Sequence, residues 1–366
     1  MARILVLAND GEGLYKFRKE VFIELLKDNE VYASLPADNY KDRIEALGIK
    51  FIETEFNRKG TNPISDLKQL SIYKKMLREV KPDVVFTYTI KPNVYGGMAC
   101  QSLNIPYVIN VTGGLGSCEN DNKLLEKLAL FLYRIGARKA YRVFFQNTAN
   151  RDFMIKNKAI KAECGDLIPG SGVNLKDYEL LPYHDGETVD FAYIGRIMEK
   201  KGFNQYIEAA KAVKARHPEA VFHVAGIYED DYKEIVEDLV SKGIIVYHVS
   251  VVDMVNVIYR NIECVIHPTY YAEGMSNVLL EASACGRAVI TTNRPGSREI
   301  VDDGVNGYLV KEKDSNDLTE KVEKYLSESK DERIKMGLSG RKKVEKDFDR
   351  QIVVNKYLDI VNSLKK

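Results

Sequence analysis

HPTYYAEGMSNVLLEASACGRAVITTNRPGSREIVDDGVNGYLV, His267 to Val310, carries the densest structural signal in this 366-residue chain. It opens where a buried strand, Cys264–His267, ends. A loop of small residues, Glu273-Gly274-Met275-Ser276-Asn277, then leads into a helix over Val278–Cys285, and a second apolar strand follows at Ala288–Thr291. The amides of a helix's first turn lack internal partners and sit at the positive end of its dipole. Strand, loop and helix together therefore make a place for an anion. Glu273 stands just before the helix and Glu281 about two turns inside it. Both carboxylates border one crevice and are suited to accept hydrogen bonds from hydroxyls. An anion at the helix start with carboxylates for hydroxyls points to a sugar nucleotide as ligand.

Outward from this stretch, apolar runs of strand length alternate with helical patterns. In the first half the strands fall at Ile4–Ala8, Val31–Leu35, Ile49–Glu53, Val84–Thr89, Tyr107–Asn110 and Val143–Gln146. Helices fit between them at Lys16–Lys27, Tyr40–Leu47, Ile64–Val80, Val94–Leu103 and Lys123–Ala140. The strands are continuously apolar, as in a parallel sheet covered on both faces. Pro169-Gly170-Ser171-Gly172 breaks the rhythm and reads as a linker. The alternation resumes with Phe191–Ile194, Val221–Ala225, Ile244–Val249, Cys264–His267 and Ala288–Thr291, and residues 318–366 read as helical throughout. The expectation is an α/β chain of two Rossmann-like, doubly wound domains, 1–170 and 171–366, facing a cleft. The last helix, about 349–366, is expected to return to the first domain.

Composition bounds the function. With 45% hydrophobic and 29% charged residues the chain reads as soluble and globular, and its net charge of +1 argues against a nucleic-acid binder. The balance is uneven: residues 1–170 hold 26 Lys and Arg against 20 Asp and Glu, and residues 171–366 hold 28 against 33. A basic first half suits anionic lipid or an anionic acceptor, or reflects only how solvated helix faces differ. The five cysteines are scattered and read as reduced thiols. Ile4–Ala8 is too short for a signal peptide, and no run approaches the ~20 apolar residues of a membrane span. The expected location is cytoplasmic, at most peripheral at the inner face of the membrane.

Further groups carry chemistry. Gly195-Arg196 ends the first strand of the second half and Lys200-Lys201-Gly202 opens the next helix, so two cations gather at a sheet edge. Such a pair neutralises a diphosphate, above all one leaving with extra charge. Asn9-Asp10-Gly11-Glu12-Gly13 follows the first strand as a loop whose Gly11 and Gly13 let backbone approach a phosphate or sugar. It is no dinucleotide fingerprint, because Lys16 stands where G-x-G-x-x-G needs its third glycine. Thr87–Asn93 follows the fourth strand, and Lys91 there is either an acceptor-phosphate contact or a surface charge. The same alternatives hold for Arg18. Lys123–Arg142 combines a long apolar stripe with six basic residues: an amphipathic face for anionic membrane, or a core helix with basic flanks.

G-R-x-x-x-x-K-G followed by E-G-M-S-N-V-L-L-E-A-x-A-C-G resembles the family-4, GT-B-type retaining glycosyltransferases. The similarity takes in both halves, including Pro169–Asn174 (P-G-S-G-V-N) and Asp302–Val310. Leu14–Arg18 and Gly114–Ser117 are similar to a bacterial branch that builds capsular, exopolysaccharide or lipid-linked glycans. The resemblance implies that Arg196 and Lys201 hold the donor diphosphate and that Glu273 contacts donor-sugar hydroxyls. It implies too that Gly274, Met275, Ser276, Asn277 and Val278 present backbone amides and that Glu281 binds the ribose. Gly11, Gly13 and Gly195 join the donor site; Arg18, Lys91 and Thr112 fall on the acceptor side. The family's sugar-contacting histidine is absent from Val111–Gly116, and Thr112 or backbone amides take that role.

The implied activity is metal-independent transfer, with retention, of a hexose or N-acetylhexosamine from a nucleotide sugar, a UDP-sugar. The implied acceptor is a glycan or a lipid-linked polyprenyl diphosphate. The alternatives are a GT-B nucleotide-sugar epimerase or hydrolase, or a catalytically silent sugar-nucleotide-binding protein. No other cofactor is expected. Asp347-Phe348-Asp349 spells D-x-D but lies at a helix junction, where an N-cap explains it. His184, His217, His223, His248 and His267 lack metal-ligand spacing, and no G-x-S-x-G is present.

Overall fold

The continuously apolar strands become the interiors of two parallel sheets. A computed structural model describes residues 1–55, 63–113, 123–183, 186, 188–229, 232–249 and 253–365. These divide into two compact units: Met1–Gly172 with Ala272–Met275 and Arg350–Lys366, and Val173–Tyr271 with Ser276–Asp349.

The first unit holds strands β1 (Arg3–Leu7), β2 (Glu30–Leu35), β3 (Lys50–Glu53), β4 (Val84–Tyr88), β5 (Tyr107–Val111), β6 (Arg142–Phe145) and β7 (Gly165–Leu167) in the order β3-β2-β1-β4-β5-β6-β7. Its helices are α1 (Gly11–Leu26), α2 (Lys41–Ala46), α3 (Pro63–Val80), α4 (Gly97–Leu103), α5 (Lys123–Gly136) and α6 (Thr148–Lys156). In the second unit β8 (Asp190–Ile194), β9 (Val221–Ala225), β10 (Val246–His248), β11 (Cys264–His267), β12 (Ala288–Thr292) and β13 (Gly307–Val310) run β10-β9-β8-β11-β12-β13. With them are α7 (Phe203–Lys214), α8 (Lys233–Ser241), α9 (Met254–Val257), α10 (Asn277–Ala284), α11 (Ser315–Ser327) and α12 (Lys330–Asp347). Helix α13 (Arg350–Leu364) belongs to the first unit.

Both strand orders reverse once, between β1 and β4 and between β8 and β11. In open parallel sheets, the crevice beyond the strand ends at such a reversal is where ligands bind. The loops after β8 and β11 therefore define the crevice of the second sheet, and the loops after β1 and β4 that of the first.

The tail is not one helix. Asp314 caps α11 by accepting from the amides of Asn316 and Asp317, and Ser329 with Glu332 forms a reciprocal capping box that starts α12. Asp347 is the last residue of α12 and Asp349 immediately precedes α13, so the D-x-D letters occupy a helix junction. Helix α13 buries Val353, Val354, Tyr357 and Val361 in the core of the first unit. Tyr357 lies 4.9 Å from Phe86 and 5.6 Å from Phe144, ring centre to ring centre. Its hydroxyl donates to Asn110 Oδ1 and accepts from Tyr88 at 2.8 Å. At the head of the helix, Arg350 pairs with Glu20 at 2.8 Å and donates to the Ser171 and Gly172 carbonyls.

Candidate active site

In the second unit the loops after β8 and β11 are stitched together. The Tyr270 amide donates to the Lys200 carbonyl at 3.0 Å. Gly202 has φ +77°, and a Cβ there would overlap the Pro268 carbonyl, so only glycine lets the turn at Glu199–Lys201 approach this closely. The consequence is a convergence on one ring. The Arg196 guanidinium carbon lies 5.5 Å, and Lys201 Nζ 5.4 Å, from the centre of Tyr271. Aromatic and cations are within reach of cation–π attraction, which helps hold two like charges at one sheet edge.

Arg196 has a second partner. Its Nη1 donates to Glu229 Oε1 at 2.7 Å. Glu229 is presented by backbone: past the strand ends, Ile197 donates to Ile227 and Glu229 donates back to Ile197, at 2.8 and 2.9 Å. Burial opposes the charge on Arg196, but Glu229 and Tyr271 outweigh it and raise the guanidinium pKa above its ordinary value. This loop pairing was not legible in the sequence, because Glu229 meets Arg196 only through sheet adjacency.

Helix α10 places Glu281 in the same unit. Its Oε2 accepts from the Tyr259 hydroxyl at 3.0 Å, and Tyr259 in turn packs edge-on against Tyr178. Burial, then the neighbouring Glu281 charge, pushes the Tyr259 hydroxyl well above its ordinary pKa, so it remains a donor. Ser276 precedes α10 without a side-chain bond to the helix amides, and its own N–H donates to the Gly296 carbonyl at 2.8 Å. Asn277 and Val278 form the first positions of the helix.

The stretch read as one continuous element divides at Met275. Ala272–Met275 packs with the first unit, where Glu273 forms a backbone bridge to Gly113. Asn147 caps α6 through Oδ1 and donates through Nδ2 to the Gly274 carbonyl at 2.6 Å. A Cβ on Gly274 would overlap Gln146 Oε1 and the Thr112 carbonyl. Thr112 is thus brought beside Gly274. Gln146 read in the sequence only as the end of a strand, and Asn147 went unnoticed.

Other expected site residues lie elsewhere in the first unit. The span 9–13 is not an open loop: α1 begins at Gly11, with Asp10 as N-cap accepting from the Gly13 amide at 2.6 Å. The Gly11 amide donates to Asp38 Oδ2 at 2.6 Å. Carboxylates therefore engage both glycine amides. Arg18 is 2% exposed and lies 5.7 Å from the Tyr88 ring, so it is buried rather than a surface charge. Lys91 is half-buried before the π-helical turn Pro92–Gly96 that follows β4. Gly114–Ser117 and His184 lie outside the described residues. Among those described, no group of three or more His, Cys, Asp or Glu is placed to hold a metal, and no helix is long and apolar enough to cross a membrane.

Two family models match the chain. Residues 3–147 match "Glycosyl transferase 4-like" and residues 183–343 match "Glycosyl transferases group 1". The Anabaena protein Alr3699/HepE, solved in complex with UDP and glucose, superposes with a TM-score of 0.81. It is 17% identical over 99% of this chain and all of its own. Two parallel-sheet units with a C-terminal helix are consistent with a GT-B fold, and the two family models, which together cover most of the chain, make it a glycosyltransferase. It is related to bacterial capsular and exopolysaccharide transferases. The Campylobacter jejuni N,N'-diacetylbacillosaminyl-diphospho-undecaprenol alpha-1,3-N-acetylgalactosaminyltransferase is 28% identical to it over 98% of each chain. The Staphylococcus aureus capsular polysaccharide biosynthesis glycosyltransferase CapM is 27% identical over 82% of each.

Proposed function

We propose that this transferase moves a hexose or N-acetylhexosamine from a UDP-sugar to a polyprenyl-diphosphate-linked glycan, with retention and without a metal, while peripheral at the inner face of the membrane. The observation that carries the proposal is the convergence of Arg196 and Lys201 on Tyr271 at the strand-order reversal of the second unit. A leaving UDP develops charge on its diphosphate, and fixed cations there stabilise that charge more in the transition state than in the ground state. We assign the donor's diphosphate and ribose to the second unit and acceptor binding to the first. Arg196 and Lys201 take the diphosphate, with Gly195 beside them; Glu281 takes the ribose. Glu273 takes donor-sugar hydroxyls, and the backbone of Gly274–Val278 the sugar and phosphates. In a retaining reaction the acceptor oxygen attacks the anomeric carbon on the face that UDP leaves, and the departing phosphate oxygen receives the acceptor's proton. The names of the relatives support the substrates: one acts on a diphospho-undecaprenol acceptor, and HepE was solved with UDP.

The test is transfer from a panel of UDP-sugars to a short polyprenyl diphosphate glycan, with proton NMR of the product's anomeric configuration. The expected product has the donor's configuration and forms in EDTA. An inverted product overturns retention, and complete loss in EDTA restored by magnesium overturns the metal-free reaction. Donor turnover without acceptor favours the epimerase or hydrolase reading. Absence of any UDP-dependent thermal stabilisation overturns the donor assignment.

A further inference from the structure

Asn147 uses both halves of its amide. It stands between the end of β6 and the first residue of α6, is 3% exposed, and has the extended backbone, φ −147°, of an N-cap. Its Oδ1 accepts from the Asn150 amide at 2.9 Å and so starts the helix. Its Nδ2 donates to the Gly274 carbonyl at 2.6 Å and lies 3.4 Å from the Glu273 carbonyl. Serine or aspartate caps a helix as well as asparagine does. Only asparagine joins a capping oxygen to an NH2 donor on one short planar group, so the cap alone does not account for the residue.

The segment that Asn147 holds is fixed at neighbouring points too, all within the first unit. Glu273 forms its backbone bridge to Gly113, just beyond the end of β5. Gly274 is buried so closely that a Cβ on it would lie 2.5 Å from the Thr112 carbonyl, an atom of the backbone that cannot swing aside. Met275 is buried with its Cβ against Gly170, where an added Cβ would come within 2.6 Å of it. Strands β5 and β6 are neighbours in the sheet, and the C-terminal ends of parallel strands are where such sheets present ligand-binding groups. Ala272–Met275 is therefore a short strap fastened across these two strand ends, and Glu273 is its one acid.

We infer that Asn147 is a positioning residue for donor-sugar selection. By holding the Gly274 carbonyl it fixes the backbone from which the adjacent Glu273 presents its carboxylate, and thereby which ring hydroxyl that carboxylate meets. The inference deepens the proposed function and rests on its assignment of Glu273 to donor-sugar hydroxyls. Sugar preference is then set from the end of β6 in the first unit, independently of the cations Arg196 and Lys201 assigned to the diphosphate. Productive contacts of this kind must be held to within about 0.5 Å. Loss of the Asn147 bond should therefore alter turnover and donor preference and leave UDP affinity alone.

The experiment compares Asn147→Ser, Asn147→Asp, Glu273→Gln and the double variant Asn147→Ser/Glu273→Gln in transfer to a short polyprenyl diphosphate glycan, with two UDP-hexoses epimeric at one ring hydroxyl. Both substitutions at Asn147 keep a helix cap, so the circular dichroism should stay that of wild type. Asn147→Ser should lower kcat on the order of 10- to 100-fold and keep the UDP Kd within about twofold. It should also shift the ratio of the two donors in the direction that Glu273→Gln shifts it. Asn147→Asp, which sets a charge against the Gly274 carbonyl, should lose more. In the double variant the kcat loss should match that of Glu273→Gln alone to within about threefold, since placement no longer matters once the contact is gone. Losses that multiply in the double variant, or Asn147→Ser with wild-type kcat, or a kcat loss equal for both donors, overturn the inference. Glu273→Gln with wild-type kcat and donor ratio overturns instead the Glu273 assignment beneath it, so the two failures are distinguishable.

Discussion

Arg196 is proposed to meet the donor diphosphate, yet Glu229 already occupies one of its nitrogens at 2.7 Å. A bound diphosphate must share or displace that carboxylate, and its own charge is repelled by it. Glu229→Gln keeps an acceptor oxygen for Arg196 and removes only the charge. The magnitude follows from exposure. The two side chains are 42% and 40% exposed, so solvent screens the pair, and such pairs are worth about 0.2–1 kcal/mol. Releasing that amount tightens UDP binding about 1.4- to 5-fold. The assay is isothermal titration of UDP into both proteins, since a chain without tryptophan offers no indole signal. The difference between them should shrink as salt rises, because the removed repulsion is screened. An increase of UDP Kd above about threefold in the variant would refute the reasoning and make Glu229 a positioning residue for Arg196. An unchanged Kd at low salt would mean that the pair does not compete with the ligand.

Arg196→Ala and Lys201→Ala, made separately, should each cut kcat/KM on the order of 10²- to 10³-fold with the fold intact; near-wild-type turnover in both places the diphosphate elsewhere. Glu281→Gln should mainly raise donor KM, since ribose bonds are alike in ground and transition states. Glu273→Gln should lower kcat and shift preference between epimeric donors, and a reversed pattern in steady-state kinetics exchanges the two roles. Tyr357→Phe leaves the Tyr88 hydroxyl and Asn110 Oδ1 without their buried partner, a cost of about 1–3 kcal/mol. Calorimetry should then show an unfolding midpoint lower by about 2–8 °C, and a shift under 1 °C would remove this network from the account of how α13 is held.

What the sequence revealed about the fold came from strands buried on both faces. Ile4–Leu7, Val84–Phe86 and Val108–Ile109 are apolar without interruption because helices cover both sides of a parallel sheet, and that pattern is local. Edge strands lack it. β7 contains Gly165 and Asp166, β13 begins at Gly307, and neither stood out as a strand. Helix starts were misjudged for a different reason. Gly11 and Gly13 read as loop, although Asp10 before them was an N-cap signal, and Ser329-x-x-Glu332 announced a break between α11 and α12 in a tail read only as helical throughout.

The candidate site separates along the same line. Arg196 and Lys201 were found because the loop after one strand holds both, five residues apart. Tyr271 and Glu229 were missed because they come from two other loops, and only the order β9-β8-β11 sets those loops beside the first. That topology also explains why a ring and a carboxylate matter here. Two cations on one short turn repel each other, and Tyr271 with Glu229 gives that pair attractive partners before any diphosphate arrives. In the proposed diphosphate role, the arrangement is preorganised by neighbours weak enough to yield to the ligand: a half-exposed ion pair and a ring face each contribute on the order of 1 kcal/mol or less. A buried pair such as Arg333–Glu263, whose side chains are 10% and 4% exposed, could not exchange partners in this way, and it lies where the second unit is held together rather than where a ligand is proposed to enter.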